Sequence, residues 1–370
     1  MNRRNFLYSL GFCLTALAGG ISIFPPPATL KRVPLSKSDT NSLPAELAQL
    51  LYLATLAPSS HNTQPWQIEL TSPQRWLLSL NSARCLPVVD PQHREMILSL
   101  GTFLENLHQA SAASSWEMTY HVLQPDPLAP LIEIVLQPKP APRDNNIIIQ
   151  MESRRTLRRS LLTTTLKKED VELLVAADPL LAYYSQDSSE GKLLSTLTQQ
   201  SNLRQLASRP IQEELVQWIR LTTAEILAEE NGITPASMEM NLFLRWYAEY
   251  RLTKKDLLSD FSMKESLRLT EQQLTEGSGW IICMSPNGEV ASLLSAGRRF
   301  EALWLRATAK KIAVHPMSQA LEDPLCQAEL THTLGKTPIQ FIARIGYCSD
   351  YPAPVSPRMS LTKLIGKGVF

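Results

Sequence analysis

The chain is organised around the stretch Ala57-Pro58-Ser59-Ser60-His61-Asn62-Thr63-Gln64-Pro65-Trp66. Upstream, apolar residues recur at the three- and four-residue spacing of a half-buried helix, namely Leu47, Leu50, Leu51, Ala54 and Ala57. Pro58 ends that helix, because proline disfavours helical geometry in the residue before it. After Trp66, residues 67–70 alternate polar and apolar, which predicts a strand. The stretch is therefore a polar loop held between two rigid elements.

The side chains of this loop carry hydroxyls, an imidazole, two carboxamides and an indole. Asn62 and Gln64 each present a donor and an acceptor, which suits the edge of a heterocycle. An ordinary polar turn is the alternative interpretation, but the density of directional groups favours a ligand site. A hydrolase that uses Ser60 and His61 is disfavoured, because adjacent residues rarely share a productive geometry and no nucleophile elbow is present.

The stretch 58–66 resembles the flavin-contacting signature of the nitroreductase superfamily, and above all its Acg-like branch, in which two nitroreductase units are fused. The resemblance runs from about Leu43 to about Ile365. It implies an α+β, nitroreductase-like fold in which two fused units mimic a nitroreductase dimer, with a helical lid insertion. It also implies FMN as the cofactor. The implied FMN contacts in this loop are Pro58, Ser59, Ser60, Asn62 and Gln64.

Composition limits the other functions. The 370 residues are enough for one large unit or two packed units, and 44% are apolar and 19% charged, as in ordinary globular proteins. The formal net charge of +1 gives no indication of nucleic acid as a partner. No glycine-rich phosphate loop occurs among the 14 glycines, so side chains must hold any phosphate. The cysteines lack metal-binding spacing, so no metal site is predicted; they are expected to be packed thiols, with disulfides left open.

The N-terminus has the pattern of an export signal. Arg3-Arg4 precedes an apolar run from Leu7 to Phe24, and the small Ala28 follows three prolines. The paired arginines resemble a twin-arginine signal, which implies the twin-arginine translocase as a partner during export. We expect a signal over 1–30, a linker over 31–42 and a location outside the cytoplasm, periplasmic or membrane-tethered. An uncleaved membrane tether is the open alternative, since the apolar run nearly reaches the length of a span.

A second motif lies in the middle of the chain and contains Arg154, Arg155, Thr156, Arg158 and Arg159. Guanidinium groups bind phosphate through two parallel hydrogen bonds and stay charged. A solvated basic segment leading into a helix is the alternative. The segment also resembles the start of the nitroreductase core, and this resemblance implies that Arg154, Arg155, Thr156 and Arg158 contact FMN.

Two weaker segments complete the predicted site. Val314 and His315 follow the second long helix. This position resembles the one at which the backbone of nitroreductases approaches flavin N5. Arg358 resembles the C-terminal arginine that reaches the phosphate. A lone histidine is more often a structural hydrogen-bonding group than a proton donor, so catalytic residues are left unassigned.

The chain also shows internal similarity. The segment around Gly297, Glu301 and Leu303 repeats the pattern around Gly101, Glu105 and Leu107. A tandem duplication leaves such a pattern, although two amphipathic helices can match by chance. We predict a first unit over 43–142 and a second over 143–370, with the lid insertion at about 188–276. The polar loop occurs only in the first unit and the arginine motif only in the second, which predicts one shared site in a monomer that mimics a dimer.

The leading functional hypothesis is an FMN-binding oxidoreductase of the nitroreductase type that reduces small electron-poor compounds by hydride transfer from flavin N5. The alternative is a flavin-sequestering or storage protein with little turnover, whose partner is the flavin alone. A third interpretation is a fold used only for protein interaction.

Overall fold

The computed structural model describes residue 35 and residues 43–124, 126–140, 144–335 and 338–366. The predicted signal at 1–30 lies outside these residues, as does the linker except for Leu35. The predicted domain boundary falls within 141–143, which are also outside. Within the described ranges, no helix combines the length and the apolar composition that a membrane span requires.

Two four-stranded antiparallel sheets form the framework of the described chain. Their strands are β1 (Trp66–Ser72), β2 (Arg75–Leu80), β3 (Trp116–Val122), β4 (Ile132–Pro138), β5 (Leu181–Ser185), β6 (Gly279–Met284), β7 (Ile312–Pro316) and β8 (Ile339–Tyr347). The first sheet has the order β1-β2-β4-β3, and the second has the order β5-β6-β8-β7. The same strand order therefore occurs twice along the chain, and the predicted α+β class with two fused units is confirmed.

The helices that connect these strands include one long helix at the same position in each unit. In the described residues they are α1 (Ala45–Thr55), α2 (Arg94–Ala113), α3 (Asn145–Ser153), α4 (Lys168–Val175), α5 (Ser189–Ala207), α6 (Arg209–Gln217), α7 (Thr223–Glu229), α8 (Leu242–Tyr250), α9 (Lys254–Leu257), α10 (Asp260–Leu274), α11 (Val290–Ala309), α12 (Gln319–Glu322), α13 (Pro324–Leu334) and α14 (Leu361–Leu364). Helix α2 lies between β2 and β3, and α11 lies between β6 and β7. Each has 20 residues.

Helices α2 and α11 cross at Gly101 and Gly297, the two glycines that the internal repeat aligns. A Cβ atom built on Gly101 would lie 2.3 Å from the carbonyl oxygen of Leu294 and 2.9 Å from the Cα atom of Gly297. A Cβ atom on Gly297 would lie 2.1 Å from the carbonyl oxygen of Leu98. The two contacts mirror each other, so the crossing lies on the pseudo-twofold axis between the units.

One hydrophobic core extends across both units. It contains Phe103 from α2 and Phe300 from α11, together with Leu78 of the first sheet and Ile345 of the second, all essentially inaccessible to solvent. The C-terminal segment then returns to the first unit. Ile365 forms a parallel bridge with Ile68 of β1, and the Gln67 amide donates to the carbonyl of Leu364. The two units therefore fold around each other.

The two units differ in length because the second contains the insertion. Strands β1 and β2 are joined by a tight turn, whereas α5 to α10 lie between β5 and β6. Several of these helices carry their own N-terminal capping: Ser188 accepts from the Gly191 amide, and Thr222 with Glu225 forms a capping box. Residues 218–222 separate α6 from α7. The insertion is therefore a set of helices of 4 to 19 residues in place of one hairpin turn.

The glycine crossing generates a stability prediction. Gly→Ala inside a helix normally stabilises by about 1 kcal/mol through propensity. At Gly101 or Gly297 we expect the opposite, a loss of about 1–3 kcal/mol in the free energy of unfolding, because the new methyl group meets backbone atoms across the crossing. Urea denaturation of the two variants measures this difference.

The matched control is Gly288→Ala, since a Cβ atom there meets nothing within 4 Å. We expect this variant to stay within about 0.5 kcal/mol of the parent chain. If Gly101→Ala and Gly297→Ala are as stable as Gly288→Ala, the helices do not cross at these glycines.

Candidate functional site

A cavity of about 400 Å³ lies where the two units and the insertion meet. Its wall includes ten of the twelve residues that the sequence predicted, namely Pro58, Ser59, Ser60, Asn62, Arg154, Arg155, Thr156, Arg158, His315 and Arg358. The volume is within the range of small-molecule sites. The polar loop and the arginine motif, which lie almost 100 residues apart in sequence, therefore contribute to one place.

The loop after α1 has an unusual backbone. His61, Asn62 and Gln64 have φ angles of 50°, 53° and 51°. Non-glycine residues in this left-handed region carry a conformational penalty, and such residues cluster at binding sites. Hydrogen bonds hold the conformation: the Ser59 hydroxyl accepts from the Gln64 amide at 2.9 Å, and the carbonyl of Asn62 accepts from the Gly232 amide at 3.0 Å.

Gln64 and Val314, the other two predicted residues, lie outside the cavity wall. The side-chain nitrogen of Gln64 donates to the carbonyl of Glu230 at 2.9 Å. Its side-chain oxygen accepts from the backbone amide of Met359 at 2.9 Å. Val314 is buried in β7, where its carbonyl accepts from the Leu157 amide at 3.4 Å. Both residues position neighbouring segments instead of facing a ligand.

Asn62 lines the cavity, but its carboxamide also has partners in the protein. The amide nitrogen donates to the carbonyls of Gly232 at 3.1 Å and Pro357 at 3.2 Å, and the oxygen accepts from Arg358 at 3.0 Å. Arg358 further donates to the carbonyls of Leu56 and Ala57. Asn62 therefore ties the loop to both the insertion and the C-terminal segment.

The arginines of the second motif differ in what they contact. Arg154 is only 2% exposed, forms an ion pair with Glu301 at 3.1 Å and lies over the ring of Trp304. Its guanidinium group connects the two units, since Glu301 belongs to α11 and the group also donates to the Leu56 carbonyl just after α1. The Arg154 guanidinium group is therefore engaged by protein partners.

Arg155 and Arg158 line the cavity beside Thr156. Arg155 contacts the carboxylate of Glu239 at 3.2 Å, and Arg158 donates to the carbonyl of Ser237 at 2.6 Å. Burial lowers the pKa of Arg158, and the Glu239 charge opposes that effect. These groups give one end of the cavity a positive, hydrogen-bonding character, which suits a phosphate group.

Glu239 clasps the insertion onto this basic segment. One oxygen pairs with Arg155, and the other accepts from the backbone amides of Arg158 at 3.2 Å and Arg159 at 2.9 Å. Glu239 itself has a φ angle of 58°. A carboxylate that accepts from an arginine and two backbone amides makes charge-assisted bonds, which are the strong class of hydrogen bond.

His315 is held in its neutral form. Burial, and then the charges of Arg344 and Arg158, keep the pKa of His315 well below its usual range. Its Nδ1 atom lies 3.2 Å from the guanidinium of Arg344, which can only donate, so Nδ1 accepts and the ring proton resides on Nε2. His315 therefore offers the cavity a neutral hydrogen-bonding ring instead of a cation.

The structure also places in the wall several residues that the sequence did not single out. The apolar part includes the aromatic side chains of Phe300, Trp304 and Phe341, and the polar part includes Glu95, Asn202, Gln205 and Glu322. His61 of the polar loop also lines the cavity, and its buried Nδ1 atom has no partner among the described residues. Asn202 and Gln205 belong to the insertion, which has no counterpart in the first unit that could have indicated them.

A basic end, an aromatic side and orphaned polar atoms fit a ligand that carries a phosphate and a flat polar ring system. The described residues contain no group of three or more metal-ligating side chains. The four described cysteines (Cys85, Cys283, Cys326 and Cys348) are free thiols. Fold and cavity together define an α+β protein of two fused units with a candidate site shared between them.

Two relatives of the chain are named as NAD(P)H nitroreductases. The chain is 22% identical over 344 residues to the probable NAD(P)H nitroreductase PigM of Serratia sp. (strain ATCC 39006), covering 86% of this chain and 92% of that protein. It is 24% identical over 326 residues to the putative NAD(P)H nitroreductase Rv3131 of Mycobacterium tuberculosis (strain ATCC 25618 / H37Rv), covering 85% and 90%. These relatives confirm the predicted resemblance to the nitroreductase superfamily.

Two other comparisons add little. No family model matches the chain. The FMN-dependent nitroreductase NfnB from Mycobacterium smegmatis, solved in complex with NADPH, is 15% identical with a TM-score of 0.37, covering 59% of this chain and 96% of that one. A likeness of this size carries no argument about this protein.

The clasp predicts how the insertion responds to mutation. Glu239→Gln keeps the shape of the side chain but removes the charge, and hydrogen bonds to charged groups contribute about 1.5–3 kcal/mol each. We expect amide hydrogen exchange across 230–240 to become faster by at least tenfold, while exchange in α2 and α11 stays unchanged. Exchange measured by mass spectrometry resolves these regions.

The control is Glu271→Gln, which lies on the exposed face of α10 in the same insertion. This variant should exchange like the parent chain. Equal exchange in Glu239→Gln and Glu271→Gln would show that the clasp does not hold the insertion.

Proposed function

We propose that this protein is an FMN-binding oxidoreductase of the nitroreductase type, which reduces small electron-poor compounds. The observation that carries the proposal is the single cavity in which a strained polar loop from the first unit meets the arginine motif of the second. The relatives named as NAD(P)H nitroreductases support the reaction class. When bound, FMN supplies the two-electron chemistry, and the protein contributes position and electrostatics.

The chain's own residues have separate tasks in this proposal. Arg155, Arg158 and Thr156 would hold the phosphate, since they line the basic end of the cavity. Arg358 would also reach the phosphate, and His315 would contribute a hydrogen bond nearer the ring. Phe300 and Trp304 would exclude water from the apolar side, which strengthens the electrostatic interactions inside.

A second function is favoured by a specific observation. The insertion contributes Asn202, Gln212, Ser237 and Thr270 to the cavity wall and is clasped by Glu239, which supports its interpretation as a lid over the site. A covered flavin site without a separate dinucleotide fingerprint suits a flavin-sequestering protein as well as an enzyme with another electron donor. The predicted export from the cytoplasm would also separate the protein from nicotinamide reductants.

The first test is stoichiometric. Because the loop and the arginine motif each occur once, we expect one FMN per chain after heat release and quantification against protein. Two flavins per chain would show that the second unit keeps a site of its own.

Arginine variants test where FMN binds. We expect Arg158→Ala to lower FMN affinity at least tenfold, since a charged hydrogen bond contributes about 1.5–3 kcal/mol. Arg159→Ala is the matched control, because Arg159 is adjacent and charged but does not line the cavity. Fluorescence titration of the flavin-free chain measures both affinities, and circular dichroism verifies folding. Equal affinities would assign the basic segment a structural role alone.

The two candidate functions differ in how the flavin is reduced. We expect NADH or NADPH to bleach the bound FMN very slowly under anaerobic conditions, while dithionite bleaches it at once, because the insertion covers the cavity. Glu239→Gln should accelerate the nicotinamide reaction by freeing the insertion. Rapid bleaching of the parent chain by NADPH would exclude the sequestration function and identify an ordinary nitroreductase.

A further inference from the structure

Two carboxyl groups meet inside the cavity, one from each unit. Glu95 belongs to the first turn of α2, and Glu322 belongs to α12, and both line the wall. The two carboxyl groups lie within hydrogen-bonding reach of each other. Two carboxylates at such a distance cannot both be ionised in a buried site, so the pair shares a proton.

The neighbouring groups assign the proton to Glu322. Glu95 accepts from the Arg94 guanidinium at 2.9 Å and from the Ser60 hydroxyl. Glu322 accepts on one oxygen from the neutral Gln205 amide at 2.6 Å, which leaves its other oxygen to donate to Glu95. Burial, followed by the charge of Glu95, raises the pKa of Glu322 well above its ordinary value, and Arg94 only partly opposes this.

Independent observations show that this corner of the cavity is built for a ligand. Asn202 is 8% exposed and lines the same cavity, one turn before Gln205 on α5, and its Nδ2 atom has no hydrogen-bond partner among the described residues. His61 also lines this cavity with an orphaned Nδ1 atom. Buried polar groups are normally satisfied, so two orphaned ones beside a protonated carboxyl indicate contacts that a bound molecule completes.

We propose that Glu322 is the proton donor in the reduction of the acceptor, an inference that rests on the proposed function. The acceptor is a small molecule with an electron-poor nitro or carbonyl group. Its nitrogen or carbon receives the hydride from reduced flavin, which is oxidised by two electrons, and the π electrons move to the oxygen. That oxygen forms a bond to the proton as the O–H bond of Glu322 breaks. Solvent then returns a proton to the Glu95–Glu322 pair.

The role of Glu95 follows from the same geometry. Its charge stabilises the proton on Glu322 before the reaction, and Arg94 and Ser60 keep it in position. Glu95 is therefore a positioning residue. The other charged or titratable groups facing the pair are Arg94 and His61, and burial lowers the pKa of His61 so that it stays neutral.

The first experiment does not require flavin. Infrared spectra of the flavin-free full-length chain should show the carbonyl band of a protonated carboxylic acid at neutral pH, and the FMN-loaded chain should show it too. We expect Glu322→Gln to remove this band and Glu329→Gln, an exposed residue on the adjacent α13, to keep it. A band that persists in Glu322→Gln, or the absence of any band in the parent chain, would overturn the inference.

The second experiment measures the reaction. The FMN-loaded chain is reduced with dithionite and mixed anaerobically with nitrobenzene, and flavin reoxidation is followed by stopped flow. We expect Glu322→Gln to lower the limiting rate about 10²-fold, as for loss of a general acid, with little change in the half-saturating concentration. The parent rate should fall as the pH rises through the pKa of Glu322, and this limb should vanish in Glu322→Gln.

Glu95→Gln provides the second variant. Removing its charge lowers the pKa of Glu322, so the limb should move to lower pH while the limiting rate at acidic pH is kept. Parent-like rates and pH dependence in Glu322→Gln would overturn the inference alone. Failure of the parent chain to bind FMN would overturn the proposed function and the inference together, and the infrared band would then report only the acid pair.

Discussion

The close crossing of α2 and α11 at Gly101 and Gly297 is the constraint on which the rest of the structure depends. Without Cβ atoms at these two positions, backbone oxygens of one helix approach the Cα atoms of the other. This approach lets Phe103 and Phe300 enter one core, and it brings the ends of both helices to the same cavity. Glu95 near the start of α2 and Trp304 in α11 can line one wall because the helices cross where they do.

The cavity is assembled from segments that are held mainly by each other. The Arg154–Glu301 ion pair joins the start of the second unit to α11, and its further bond to the Leu56 carbonyl fixes the beginning of the polar loop. A buried ion pair of this kind specifies an arrangement more than it adds stability, because desolvation offsets most of the attraction. Asn62 and Gln64 act in the same way, because their carboxamides join the loop to the insertion and the C-terminal segment.

Much of the fold could be predicted from the sequence because it depends on local pattern. The helix before Pro58, the strand after Trp66 and the glycines aligned by the repeat all occur where periodicity and internal similarity indicated. The site was harder to predict at the level of side chains. Gln64 has the right chemistry for a ring edge, yet its amide is consumed by Glu230 and Met359, and such long-range partners leave no local pattern. Glu239, Asn202 and Glu322 were missed for the same reason.

The asymmetry between the units explains why one cavity is expected instead of two. Helix α1 ends at Thr55 and β1 begins at Trp66, which leaves room for the whole polar loop, whereas α4 ends at Val175 and β5 begins at Leu181. The shorter connection cannot extend over the sheet, and Asp178 within it forms an ion pair with Arg299 of α11. A carboxylate bound to a neighbouring arginine gives no donor for a ring edge and no cation for a phosphate. The second unit therefore has the arginine motif without the polar loop, and its long insertion contributes residues to the same cavity wall.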